Sequence, residues 1–210
     1  FNTLNENNLN NVQLNTPNNI EFEIFQNNFE KEQTYISTDK NNIYFYGAVT
    51  SESCRILGAK LNELKKAYNI YKVEYNNIPP SINLHIQSTG GTLINAFYIV
   101  DLIMNSDVPI NTFVDGYSAS AASLINVVGK HRYMTENSVI MIHQLYGGNQ
   151  GKFKELDDNM INLNLFMNKI KKIYLEYTKI TPDKLDEILE HDIWLDSKKC
   201  LKYGLIDEII

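Results

Sequence analysis

From Asn42 to the end of the chain, short apolar runs alternate with segments of helical period, and glycines stand at several of the changeovers. No other feature constrains the fold as strongly, because strands that alternate with helices pair largely in parallel and bury both faces of the sheet. Asn42 to Val49 predicts an aromatic and β-branched strand. Ser51 is placed to cap a helix, with Cys54, Leu57, Leu61 and Leu64 following at steps of three and four, and Pro79-Pro80 breaks the chain. Ser81 to Gln87 predicts a second strand and Thr92 to Met104 a second helix, joined through Gly90-Gly91. Pro109 to Val114 predicts a strand, Gly116 a turn, and Ala119 to Val128 a helix of small residues. His131 to Met134 and Val139 to His143 are two further short strands.

A long helix is expected from about Lys152 to Thr178, with Phe153, Leu156, Met160, Leu163, Met167, Ile170, Tyr174 and Tyr177 along one face. Thr181 and Pro182 start another helix, Asp196 caps a last short one that Gly204 ends, and Leu205 to Ile210 closes as a strand. The class is α/β, and the pattern fits a Rossmann-like sheet and other windings equally. Residues 1–19 are rich in Asn and predict a weakly ordered arm, leaving 20–210 as a single domain.

Charge excludes some functions. The net charge of −6 leaves no basic stripe to neutralise phosphates, which argues against nucleic-acid binding. No apolar run reaches bilayer length, and the first residues show no basic start followed by an apolar stretch, so neither a membrane span nor a secretory signal is expected. Cys54 and Cys200 match no metal spacing; two free thiols in a reducing cytoplasm are the default, and a disulfide between them also fits the sequence.

Three strand-to-helix turns could hold chemistry. Gly90-Gly91 permits positive φ and close backbone approach, and its N–H groups beside a helix start could cradle an oxyanion or serve only as a helix-entry turn. In Gly116-Tyr117-Ser118-Ala119-Ser120-Ala121-Ala122-Ser123, a serine among alanines at a helix start could act as a nucleophile or as a cap and packing residue. His143 ends the apolar strand Val139 to Ile142, where an imidazole could move protons near neutrality or fill a structural role. Asp192, ahead of Ile193-Trp194, could hold such an imidazole in one tautomer or simply make a turn. Asp115 and Asp196 compete with it, and Ser118 and Ser123 compete with Ser120.

Taken together these stretches resemble the ClpP family. Ile82 to Gly91 (INLHIQSTGG) is similar to the family's strand ending in SPGG, and Gly116 to Ala122 (GYSASAA) resembles its nucleophile turn. Met141 to Gln144 (MIHQ), with Gly147-Gly148, resembles the strand of the catalytic histidine, and His191 to Asp207 the segment of the third catalytic residue. The serine turn looks closer to divergent members, including viral ones. The resemblance implies a ClpP/crotonase-type spiral of repeated β-β-α units with a protruding helical handle, about 151–178. It further implies a serine endopeptidase with catalytic Ser120, His143 and Asp192, and an oxyanion hole from the backbone of Gly91 and Ala121. Neither metal nor nucleotide is needed by the peptidase. Its implied partners are copies of itself, in a heptamer or double heptamer, an AAA+ unfoldase, and unfolded polypeptide substrates.

The chain departs from the family pattern in places. Thr89 stands where proline is usual, which predicts a less rigid turn. His191 replaces an arginine of ring-to-ring pairing, and Asn83 and His85 replace tyrosines of the unfoldase docking pocket. Other readings are a catalytically silent ring subunit, a viral capsid-maturation type protease of the same fold, and a crotonase-like acyl-CoA enzyme.

Overall fold

The computed structural model describes residues 34–148 and 150–210, all within one compact unit, Gln33–Ile210. The arm expected over 1–19 lies outside the described residues.

The elements follow in the order β1 (Tyr35–Asp39), β2 (Asn42–Tyr46), α1 (Ser51–Tyr75), β3 (Ile82–Ser88), α2 (Leu93–Met104), β4 (Ile110–Ala119) and α3 (Ala121–Val127). After them come β5 (Arg132–Met134), β6 (Val139–Met141), α4 (Phe153–Tyr177), α5 (Pro182–Leu189), β7 (Trp194–Asp196), α6 (Ser197–Tyr203) and β8 (Glu208–Ile209). One mixed sheet runs β1-β2-β3-β4-β5-β8, with β6 joined to β4 and β7 to β6. The chain is therefore α/β, as its sequence predicts.

The alternating burial of β3 explains its place. Ile82, Leu84 and Ile86 face the core with Ile43 and Phe45 of β2, while Asn83, His85 and Gln87 face the other side. Leu57 and Leu61 of α1, Ile99 of α2 and Ile125 of α3 cover the inner face. Strand β1 was not evident in the sequence. It pairs antiparallel to β2 through a tight turn at Lys40, which takes φ 54, and few of its residues are buried enough to show a pattern.

Helix α1 begins one residue earlier than the Ser51 cap implied. Thr50 is the cap, accepting the Ser53 N–H at 3.1 Å, while Ser53 Oγ accepts the Thr50 N–H at 2.9 Å.

Gly116 does not turn the chain as expected. β4 passes straight through it at φ +86 and changes neighbours there: Thr112 to Val114 pair with β5, and Tyr117 to Ala119 with β6. Ser138 fills the gap between the two ladders. Its Oγ accepts the Gly116 N–H at 2.7 Å and donates to the Val114 carbonyl at 3.0 Å, so the split leaves these two backbone groups satisfied.

In α4, Ile170 and Tyr174 are buried, but Phe153, Met160 and Ile161 near its start are mostly exposed. Asp196 accepts the Lys199 N–H at 2.8 Å as the cap of α6, and Gly204 ends that helix at φ +70. No helix among the described residues is long and apolar enough to cross a membrane.

Candidate active site

Three parallel strands, β3, β4 and β6, end at one level, and the loop before β7 returns to the same place. Ligands in open α/β sheets bind at such carboxyl ends. Ser88 is level with Ser118 across the β3–β4 pair, and Ala119 is level with Met141 across β4–β6. The registers therefore bring Gly90-Gly91, Ser120 and the residues after Met141 together.

Ser120 stands at the junction of β4 and α3 with φ 53 and ψ −127, angles a side-chain-bearing residue seldom adopts. The expected helix start at Ala119 is thus displaced: Ala119 ends the strand and Ala121 begins the helix. The Ser120 N–H donates to the Met141 carbonyl at 2.9 Å, and the Ser120 carbonyl accepts the Ser123 N–H at 3.0 Å.

His143 follows Ile142, which is fully buried and turns the next side chain outward. Beyond it, the Gln144 N–H donates to the Leu189 carbonyl at 2.8 Å, tying this segment to the end of α5. β6 and β7 are antiparallel, with Met141 opposite Trp194. Carried two residues past the last pair, that register faces His143 with Asp192.

The side chains meet accordingly. His143 Nδ1 lies 3.1 Å from Asp192 Oδ1, and His143 Nε2 lies 2.8 Å from Ser120 Oγ. A carboxylate only accepts, so Nδ1 carries the proton and Nε2 is left to accept the serine O–H. Asp192 departs from the partly apolar setting expected for it: its side chain is 55% exposed in the single chain, against 21% for His143.

The competing residues are buried or bonded elsewhere. Ser118 and Ser123 are fully buried, and the Ser123 hydroxyl donates to the Ser120 carbonyl at 2.6 Å. Asp115 accepts the Tyr46 hydroxyl at 2.8 Å and contacts His85 Nδ1 at 2.9 Å, on the other face of the sheet. Burial and this hydrogen bond to Asp115 push the Tyr46 phenol well above its ordinary value. Asp196 caps α6. His85 itself is stacked between Tyr44 and Phe113, a cluster no spacing in the sequence announced. Only the outward alternation of β3 hinted that His85 points away from Ser120.

The glycine turn packs against the serine turn. The Val49 N–H donates to the Gly90 carbonyl at 2.7 Å, and the Val49 carbonyl accepts the Thr92 N–H at 2.8 Å, so the Gly91 N–H takes no part in that bridge. Ala121 opens α3, and its N–H has no acceptor within the helix. At the turn carrying Thr89, the buried Ser88 Oγ accepts the Gly90 N–H at 3.1 Å and the Val49 bridge joins the other side.

Such an arrangement can deprotonate a hydroxyl, and the Gly90 turn and the start of α3 pack beside it. A protein-family model described as Clp protease matches residues 38–210, a span that takes in every residue of this site.

Proposed function

Because the chain belongs to the Clp protease family, we propose that it is a serine endopeptidase with Ser120 as nucleophile, His143 as general base and Asp192 as the carboxylate orienting the imidazole. The observation that carries this reading is the unbroken line from Ser120 Oγ through His143 to Asp192, with contacts of 2.8 and 3.1 Å.

In the first half-reaction Ser120 Oγ bonds to the carbonyl carbon of the scissile peptide while its proton passes to His143 Nε2. Asp192 stabilises the imidazolium. The N–H groups of Gly91 and Ala121 hold the negative oxygen of the tetrahedral intermediate, each such donor being worth on the order of 10²-fold in rate. His143 then gives its proton to the departing amine, leaving an ester on Ser120. Water attacks that ester with His143 again taking a proton, and the acid product leaves as the Ser120 hydroxyl re-forms. No cofactor enters these steps.

The proposal extends to a ring of copies, a heptamer or double heptamer, that receives unfolded polypeptides from an AAA+ unfoldase in a reducing cytoplasm. Two observations support it. Phe153, Met160 and Ile161 on α4 are more than half exposed, a surface that association would cover. Cys54 and Cys200 are both free and buried.

Fluorophosphonate labelling of the assembled protein tests the reading. We expect label on Ser120, and loss of both labelling and peptide cleavage in Ser120→Ala. An assembled particle that takes no label would instead indicate a silent ring subunit, and acyl-CoA turnover without peptidase activity would indicate crotonase-type chemistry. Native mass measures the ring.

A further inference from the structure

Ser123 and Tyr174 are buried polar residues that the mechanism above leaves unused. Ser123 is 0% and Tyr174 1% exposed, and their hydroxyl oxygens lie 2.7 Å apart. Tyr174 comes from α4, 51 residues further along the chain. The Ser123 hydroxyl also reaches the Ser120 carbonyl at 2.6 Å.

The proton directions are determined. A carbonyl only accepts, so the Ser123 O–H points at the Ser120 carbonyl. Its oxygen is then left to accept, and the Tyr174 O–H donates to it. Burial pushes the Tyr174 phenol well above its ordinary value, so it keeps its proton at any working pH.

Ser120 gives this chain something to act on. Its angles, φ 53 and ψ −127, are strained and persist only if neighbours hold them. The bond from its N–H to Met141 restrains one side of the residue, and the two bonds from Ser123 to its carbonyl restrain the other. With both peptide planes held, the Cα–Cβ direction, and hence Oγ, is aimed at His143. α4 also touches the histidine segment, where the Leu145 N–H approaches Met167 Sδ at 3.2 Å, two turns before Tyr174.

We propose that Tyr174 and Ser123 are positioning residues: the relay from the Tyr174 hydroxyl through the Ser123 hydroxyl to the Ser120 carbonyl holds the nucleophile in its reactive conformation and links it to α4. The inference rests on Ser120 being the nucleophile.

The test uses the assembled protein with Tyr174→Phe, Ser123→Ala and the pair combined, measuring fluorophosphonate acylation rate, kcat and KM for a peptide, and melting temperature. We expect Tyr174→Phe to slow acylation and kcat about three- to tenfold, the range one hydrogen bond supports, with KM nearly unchanged. Ser123→Ala should slow them at least as much, and the pair should be no slower than Ser123→Ala, because Tyr174 acts through Ser123. Lower melting temperatures with unaltered acylation, or additive losses in the pair, overturn the relay and leave the peptidase reading standing. A wild-type protein that takes no label overturns the peptidase reading itself. A crystal structure of Ser123→Ala examines the relay without activity: we expect Ser120 Oγ to leave hydrogen-bond distance of His143 Nε2, and an unchanged 2.8 Å contact overturns it.

Discussion

A Cβ placed on Gly90 would lie 2.7 Å from the Cβ of Ser120 and 2.6 Å from the Ala119 carbonyl oxygen. Gly90 also sits at φ +93, where a side chain is strained whatever the space. Gly90→Ala should cost about 2–4 kcal/mol from strain and overpacking combined, measured by urea unfolding. Fluorophosphonate labelling of Ser120 should fall at least about tenfold, since a shift on the order of 1 Å suffices to misplace a nucleophile. A variant with wild-type midpoint and labelling rate would show that the two turns are not in contact.

Asp192→Asn keeps the size of the side chain and removes its charge. The amide no longer enforces the Nδ1–H tautomer of His143, so kcat should drop about 10²- to 10³-fold with KM little altered. The loss is set below that of a fully buried carboxylate because Asp192 is 55% exposed and water screens it. Steady-state kinetics on a short peptide distinguish this from a fall of less than threefold, which would remove Asp192 from the mechanism.

Arg132 joins the ends of α4 and α6 to the residue before β8. Its Nη1 donates to the Tyr177 carbonyl at 2.5 Å and the Gly204 carbonyl at 2.7 Å, and its Nε donates to Asp207 at 2.9 Å. Burial by itself raises the Asp207 carboxyl, but the Arg132 hydrogen bonds and charge outweigh that and hold it below its ordinary 3.8. A depressed carboxyl contributes stability above its unfolded value, and that contribution disappears as pH falls through the folded one. Arg132→Met should therefore destabilise by about 2–4 kcal/mol near neutrality and flatten the acid limb of a stability–pH curve. An unchanged acid limb would contradict the assignment.

Burial pushes the Cys54 thiol up to about 11 and Cys200 up to about 12, from an ordinary 9.0. Both should resist iodoacetamide at pH 8 in the native protein and react once it is unfolded. Above pH 9 the unfolded chain loses thiol protons that the native chain retains, so stability should decline as pH rises towards 11 and 12. Rapid native-state alkylation of either thiol would contradict this.

The order of strands and helices could be read from the chain because periodicity is local. The two-residue alternation of Ile82, Leu84 and Ile86 and the three-to-four-residue steps of Cys54, Leu57 and Leu61 each report the surface their own element buries. β1 escaped notice because its residues are largely uncovered. The passage of β4 through Gly116 escaped because a glycine at positive φ marks a turn far more often than a change of strand partner.

The sequence alone determined the α/β class, the glycine turn beside a helix start, and a short set of residues able to act: three serines, a strand-ending histidine and three aspartates. The resemblance to the ClpP family pointed to Ser120, His143 and Asp192, but the physical ground that separates them from their rivals lies in the tertiary structure. Ser118, Ser120 and Ser123 are alike as residues, but burial closes off the first and last while the strand-to-helix junction presents the middle one to His143. Asp115, Asp192 and Asp196 were separated in the same way, by the antiparallel register of β6 with β7, which leaves only Asp192 opposite the imidazole. Strand register joins segments some fifty residues apart through backbone hydrogen bonds that are the same for every residue type, so no local pattern of side chains records it.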